Sequence, residues 1–114
     1  MNEKVELANA IGTFIEKYWN NPAKVKFPEC VLEVKMVCHV DIEIGSLKEV
    51  NSGLWSFKGT AQISFTDPSK VGLTLKVVIV GNADIECYSS VVNPNDKYPS
   101  VKHVTITKLN YEKE

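Results

Sequence analysis

The sequence predicts a single small α+β domain in which one N-terminal amphipathic helix packs in the concave face of a curled antiparallel sheet of about five meander strands. Three observations predict it: apolar residues at helical spacing near the start, several later stretches in which apolar and polar residues alternate, and turn residues between those stretches. The chain has 114 residues, of which 44% are hydrophobic and 24% charged. This length and composition fit one core, so we expect one domain spanning 1–114.

The helix is predicted from Val5 onward by an apolar stripe with the spacing i, i+3, i+4 and i+7. The residues of this stripe are Leu7, Ala8, Ile11, Phe14, Ile15, Tyr18 and Trp19. Asn2 can cap the start, and Pro22 ends the helix because proline disfavours helical geometry in the residue before it. So wide a stripe needs a broad surface to cover it, and a sheet is the natural partner.

The first two strands are predicted at residues 32–44 and 55–66, where apolar and polar residues alternate with a period of two. In the first strand the even-numbered residues, Met36 and Cys38 among them, are expected in the core, while His39 lies on the polar face. Residues 45–53 are expected to be a polar connection.

The second half of the chain is predicted to hold three more strands. One spans residues 71–79, and Gly81-Asn82 is expected to form a tight hairpin turn into the next strand at 83–92. Residues 93–100 are expected to form a loop. The last strand, at 101–111, alternates less regularly than the others.

The charge pattern argues against several partners. The thirteen basic residues, all lysine, against fourteen acidic ones give a net charge of -1, so no guanidinium fork can grip phosphate, and we expect no nucleic-acid partner. No apolar run approaches the roughly 18 residues of a membrane span, and the start lacks the apolar region of a signal peptide. We expect a soluble, cytoplasmic chain without a membrane partner, although a chain whose signal peptide had been removed would give the same pattern.

The cysteines predict neither a disulfide framework nor a metal site. Cys30, Cys38 and Cys87 are odd in number and occur in no paired spacing, and His39 and His103 add no zinc motif. We interpret them as buried, inert thiols and expect no cofactor.

One pair of residues suggests catalysis. His39 and Asp41 share the polar face of the first strand, and a histidine beside a carboxylate is the minimal general acid–base unit. Alternate side chains on a strand stand roughly 7 Å apart, which is marginal for contact. Charged groups on a solvated face also serve solubility, so the pair does not predict an enzyme.

The helix and curled meander, with the run Gly59-Thr60-Ala61-Gln62-Ile63-Ser64-Phe65 before a turn and Gly81-Asn82 between two strands, resemble the cystatin-like and NTF2-like group of small bacterial domains. That group includes protease inhibitors, isomerase-like and dehydratase-like enzymes, and non-catalytic accessory modules. Inhibitory cystatins carry a Gln-x-Val-x-Gly hairpin, and the run 77–81 is similar in its final Gly81 but has Val77 in place of the glutamine. Their second, Pro-Trp loop is missing, so inhibition is the least favoured function.

Two functional hypotheses remain. The preferred one is a non-catalytic binding or accessory module that acts through its polar sheet face, as a homodimer or with a protein partner. The interface residues expected on that face are Val37, His39, Val78, Val80 and Tyr88.

The alternative is an NTF2-like enzyme or small-molecule binder with a cavity between helix and sheet. It requires the irregular last strand to turn His103, Thr105 and Tyr111 inward, so that polar groups converge in that cavity.

Overall fold

The computed structural model describes residues 3–28, 33–66, 72–89 and 97–111, without the side chains of residues 3, 33, 66, 72, 73, 87–89, 97, 98 and 111. Its elements are helix α1 (Glu3–Tyr18), strands β1 (Val25–Lys26) and β2 (Glu33–Ile42), a 3-10 helix (Ile44–Ser46), and strands β3 (Lys48–Asn51), β4 (Leu54–Thr66), β5 (Gly72–Ser89) and β6 (Lys97–Tyr111).

The strands form one curled, half-barrel sheet in the order β1-β6-β5-β4-β2, and β3 pairs with β4 beyond the end of β2. The predicted α+β class is confirmed. The prediction of a purely antiparallel sheet is wrong, because the short strand β1 runs parallel to β6, pairing Val25 with Val104 and Lys26 with Thr105. None of the described helices is long and apolar enough to cross a membrane.

Helix α1 lies on the concave side of the sheet and contacts mainly strands β2 and β6, near the two edges of the sheet. Its predicted apolar stripe is confirmed: Leu7, Ala8, Ile11, Phe14 and Ile15 are all buried. The helix ends at Tyr18, and the amide of Asn21 donates to the Tyr18 carbonyl oxygen in the following turn.

The core fills the space between this helix and the inward face of the sheet. No polar or charged side chain is buried among the described residues. The strand residues that line this core are Val25, Val37, Ile42, Phe57, Ala61, Ile63, Phe65, Val77, Ile79, Ala83, Ile85, Val104 and Ile106.

Strand β5 is a single strand of 18 residues, so the predicted hairpin turn at Gly81-Asn82 is wrong. Gly81 lies mid-strand, pairs with Phe57 on one side and Ile106 on the other, and is buried. A Cβ atom at Gly81 would overlap the carbonyl oxygen of Thr105, and one at Gly59 would overlap that of Asp41. Each of these glycines therefore allows two neighbouring strands to approach closely. Close approach of a second backbone is a common reason for glycine inside a strand.

Two bulges in β6 explain the irregular alternation of the last strand. The register shifts between the pairs Val80–Lys108 and Gly81–Ile106, and again between Asp84–His103 and Ile85–Val101. Each shift adds one residue to β6, and the hydroxyl of Thr107 donates to the carbonyl oxygen of Val80 at 3.1 Å beside the first. The inward residues are consequently Val101, Val104, Ile106 and Leu109. Residues 97–100, predicted as loop, are the start of this strand.

Two further bulges in β2 reverse the predicted burial in its middle. The register shifts between Val34 and Met36 and between Cys38 and Asp41. Val37 is consequently 4% exposed and in the core, whereas Met36, predicted inside, is 53% exposed. Cys38, also predicted inside, pairs with Gln62 on the opposite face and is half-buried.

The predicted connection at 45–53 contains strand β3 and all but the first residue of the 3-10 helix, and β3 pairs with β4 beyond the point where β2 ends. The hydroxyl of Ser46 accepts the amide of Lys58 at 2.9 Å and donates to the carbonyl oxygen of Glu43 at 2.7 Å. Gly53, at a φ of 80°, forms the turn from β3 into β4, and its carbonyl oxygen accepts the amide of Ile85 at 2.7 Å.

Replacing Gly81 by alanine tests the close approach of β5 and β6. We expect Gly81→Ala to lower the free energy of unfolding by more than about 2 kcal/mol, because the backbone of Thr105 must move. Gly45→Ala is the matched control, since a Cβ there meets no atom within 4 Å. Urea unfolding of both variants measures the difference in the free energy of unfolding. Equal stabilities would contradict the close approach of β5 and β6 at Gly81.

The carboxylate of Glu16 on α1 accepts the amide of Val40 at 3.0 Å, at the second bulge of β2. Glu16→Ala removes this acceptor, and we expect a loss of about 1 kcal/mol in the free energy of unfolding. Glu16→Gln keeps an acceptor oxygen and should lose less than half of that. Thermal unfolding of the two variants measures these losses of stability. If the glutamine variant is destabilised as much as the alanine variant, the hydrogen bond to Val40 is not the cause of the loss.

Candidate functional site

The convex face of the sheet is the broad surface that faces away from helix α1. On β5 its side chains alternate with those of the core, so Val78, Val80 and Asn82 point outward between the buried Val77, Ile79 and Ala83. Residues paired across antiparallel strands share a face, and the register therefore sorts this surface into rows that cross the strands.

Two rows form the centre of the convex face. One row is Lys58, Val80 and Lys108, on β4, β5 and β6. The next is Asp41, Thr60, Val78 and Asn110, on β2, β4, β5 and β6. Both valines are half-buried and are flanked by polar or charged groups.

A third row extends across five strands and ends in a lysine on each side. Its members are Lys48, Ser56, Asn82, Thr105 and Lys26, on β3, β4, β5, β6 and β1. The three central side chains are half-buried and polar, and the two lysines are exposed. We name Lys26, Lys48, Lys58 and Lys108 together the basic patch.

Acidic residues on the same face lie around the basic patch. Asp84 pairs with His103 in the row beyond the patch, and Asp41 lies in the row on its other side. Glu86 forms an ion pair with Lys102, with the two charged groups 3.8 Å apart. Glu43, exposed after β2, donates its amide to the carbonyl oxygen of Lys58.

His39 occupies the second bulge of β2 with a φ of 51°, a left-handed conformation that few residues other than glycine adopt. It is exposed and borders a cleft of about 470 Å³. The cleft is lined by His39, Val40, Asp41, Thr60, Ala61, Gln62 and Lys76. Among the described side chains no hydrogen bond joins His39 to Asp41, the pair that the sequence suggested as a minimal acid–base unit.

His103 and Thr105 lie on the convex face, because the inward residues of this part of β6 are Val104 and Ile106. The hydroxyl of Thr105 is 3.4 Å from Nδ1 of His103, which places the two side by side. The inward turn that the small-molecule alternative requires is therefore not seen for these two residues. Tyr111 pairs with Val77, and its side chain lies outside the described residues.

Two clefts lined by residues that the structure describes border helix α1, and neither includes His103. One of about 560 Å³ lies between α1 and the start of β6, beside Phe14, Tyr18 and Val101. The other, of about 140 Å³, lies between Gly12 and Glu16 of α1 and the end of β2. No group of three metal-ligating side chains occurs among the described residues.

The predicted interface residues divide into three groups. His39, Val78 and Val80 are at the convex face or its edge. Val37 is in the core, because the first bulge of β2 turns it inward, which corrects its predicted place on the polar face. The side chain of Tyr88 lies outside the described residues, although its backbone pairs with Tyr98.

The basic patch is the feature that sequence reasoning missed. Lys48 belongs to β3, which lies in a predicted connection, and Lys26 belongs to β1, where the sequence predicted no strand. Lys108 depends on the bulge at Thr107. Lys58 and Lys108 both lay in predicted strands, but only Lys58 could have been assigned to the outer face from alternation alone, because the last strand alternates irregularly.

Together these features define a small α+β domain with one helix in a half-barrel sheet whose convex face is polar and rich in lysine. No family model, curated protein or solved structure significantly matches the chain. The resemblance to the cystatin-like and NTF2-like group accordingly stays a prediction.

Substitutions at His39 test the strained bulge. A β-branched residue is least tolerant of positive φ, so His39→Val should lower the free energy of unfolding by about 1–2 kcal/mol. His39→Gly should leave it unchanged or raise it slightly, since relief of strain offsets the extra entropy of the unfolded chain. Chemical denaturation compares the free energies of unfolding of the two variants. A glycine variant less stable than the valine variant would contradict the left-handed conformation of residue 39.

Proposed function

We propose that this chain is a non-catalytic binding module that acts on another protein through the convex face of its sheet. The observation that carries the proposal is the difference between the two faces. The concave face is filled by helix α1 and an apolar core, whereas the convex face presents half-buried valines among exposed charged groups.

The composition of the convex face supports protein binding. Val78 and Val80 provide apolar contact area at its centre, and Thr60, Asn82 and Asn110 around them can donate and accept hydrogen bonds. Protein interfaces combine a small apolar centre with a polar rim in this way. A partly apolar, curved sheet face is also a surface on which two sheets can stack.

The packing gives less support to a small-molecule site between helix and sheet. Such a site needs a few polar groups that converge in a cavity, and the groups offered by the sequence, His103 and Thr105, point away from the helix. Protease inhibition is also poorly supported, because the run 77–81 lies inside the long strand β5 and not at the tip of a hairpin.

The double substitution Val78→Glu, Val80→Glu tests the proposal by charging the centre of the convex face. Both side chains point outward, so we expect the variant to fold with a midpoint within a few degrees of the wild type. If the occupant is a second copy, light scattering at increasing concentration should give a dimer for the wild type and a monomer for the variant.

A matched control is Ile44→Glu, Val50→Glu, which adds the same charge at residues 40% and 54% exposed on the 3-10 helix and β3. It should leave the mass in solution unchanged. A dimer that resists the first variant but yields to the control would place the interface at that edge and refute the proposal. A wild type that is monomeric at every concentration would exclude a second copy as the binding partner. The partner of the convex face would then be a different protein.

A further inference from the structure

We infer that the occupant of the convex face is an acidic segment of a partner protein, held by the basic patch. This inference rests on the proposed function and names the chemistry of the partner. It arises from four lysines, Lys26, Lys48, Lys58 and Lys108, that are distant in sequence and are brought to one surface by the pairing of five strands.

The spacing of the patch matches an extended peptide. Neighbouring strands are about 4.8 Å apart, so Lys48 and Lys26 at the ends of one row are separated by roughly 19 Å at the backbone. Lys58 and Lys108 in the next row are separated by roughly 10 Å, and the two rows are about 7 Å apart. An extended segment of about six residues covers the longer row, and its alternate side chains repeat at about 7 Å.

The four ammonium groups are not neutralised by their described surroundings. None of them forms an ion pair within 4.0 Å among the residues that the structure describes. The carboxylates of Asp41, Glu43 and Asp84 lie at neighbouring positions on this face, and none of the described ion pairs joins them to these lysines. Clustered like charges repel one another, and carboxylates brought by a partner would relieve that repulsion.

The floor of the patch can bind polar groups between the lysines. Ser56, Asn82 and Thr105 are half-buried and form the middle of the longer row. Hydroxyl and amide groups donate hydrogen bonds to carboxylate or backbone oxygen atoms. Val80, between Lys58 and Lys108, adds apolar contact for the stems of the bound side chains.

A second copy fits this surface less well than an acidic partner. Two convex faces can stack so that Val80 of one chain lies over Val80 of the other. The row Lys58, Val80 and Lys108 of one chain then lies over the same row of the second chain. Lys58 and Lys108 of both chains then meet across the interface, and like charges in contact disfavour association.

Nucleic acid also fits less well. The chain has no arginine, and the described aromatic side chains of β4, Trp55, Phe57 and Phe65, belong to the core or pack against it. The convex face therefore offers no described aromatic platform for bases to stack on. An acidic protein segment needs neither arginine nor stacking.

The experiment uses a fluorescein-labelled peptide with about six consecutive glutamates, a matched peptide with glutamines, and a short single-stranded DNA of similar charge. Fluorescence anisotropy measures binding to the full chain at about 20 mM and about 150 mM salt, where screening lengths differ strongly. We expect the glutamate peptide to bind, the glutamine peptide to bind at least tenfold more weakly, and the affinity to fall with salt.

The variant Lys58→Glu, Lys108→Glu should weaken binding of the glutamate peptide at least tenfold. Lys4→Glu, Lys17→Glu is the matched control, since it changes the net charge equally but at exposed lysines of helix α1, on the concave side of the sheet. The control should change the affinity by less than about threefold, as expected for distant, screened charges. Circular dichroism confirms that both variants are folded.

Equal weakening by the two variants would show an effect of net charge alone and overturn the inference. Tighter binding of the DNA, with the same sensitivity to Lys58 and Lys108, would assign the patch to nucleic acid and overturn it too. If the wild type does not bind the glutamate peptide, the inference of an acidic partner is refuted. The proposed function is tested independently by the variant Val78→Glu, Val80→Glu. It is supported if this variant dissociates a wild-type dimer, and it is refuted if the dimer remains intact.

Discussion

The curl of the sheet around helix α1 is the constraint on which the rest of the structure depends. Sixteen residues of amphipathic helix can be covered only if strands β2 and β6, on the two sides of the sheet, bend toward it. The bend brings backbones so close that Gly59 and Gly81 leave no room for a side chain. Strands of 13 and 18 residues would otherwise twist away from a common core, which is why long sheets need bulges and glycines to close.

Bulges have a second consequence, because each one changes which side chains face the core. The bulges of β2 bury Val37, expose Met36 and leave the amide of Val40 to the carboxylate of Glu16. Those of β6 keep Val104 and Ile106 inside and turn His103 and Thr105 outward. A single inserted residue thus decides whether a histidine faces the core or the open surface.

The two faces that result differ in chemistry. The concave face is committed to the core, and its contribution is stability. The convex face carries the half-buried valines and the basic patch, so a function that belongs to a site and not to a fold is best sought there. The strained backbone at His39 lies at the edge of the same face, where a bulge redirects a side chain without affecting the core.

The amino-acid sequence by itself determined the α+β class, the helix with its buried stripe, the existence of the long strands and the outward place of Val78 and Val80. These depend on periodicity, which is a local property of the chain. Only the tertiary structure decided that Gly81 lies mid-strand, that β1 and β3 exist, and that Lys26, Lys48, Lys58 and Lys108 share one face of the sheet. Register, bulges and parallel pairing arise between segments distant in sequence, and alternation within one segment carries no information about them.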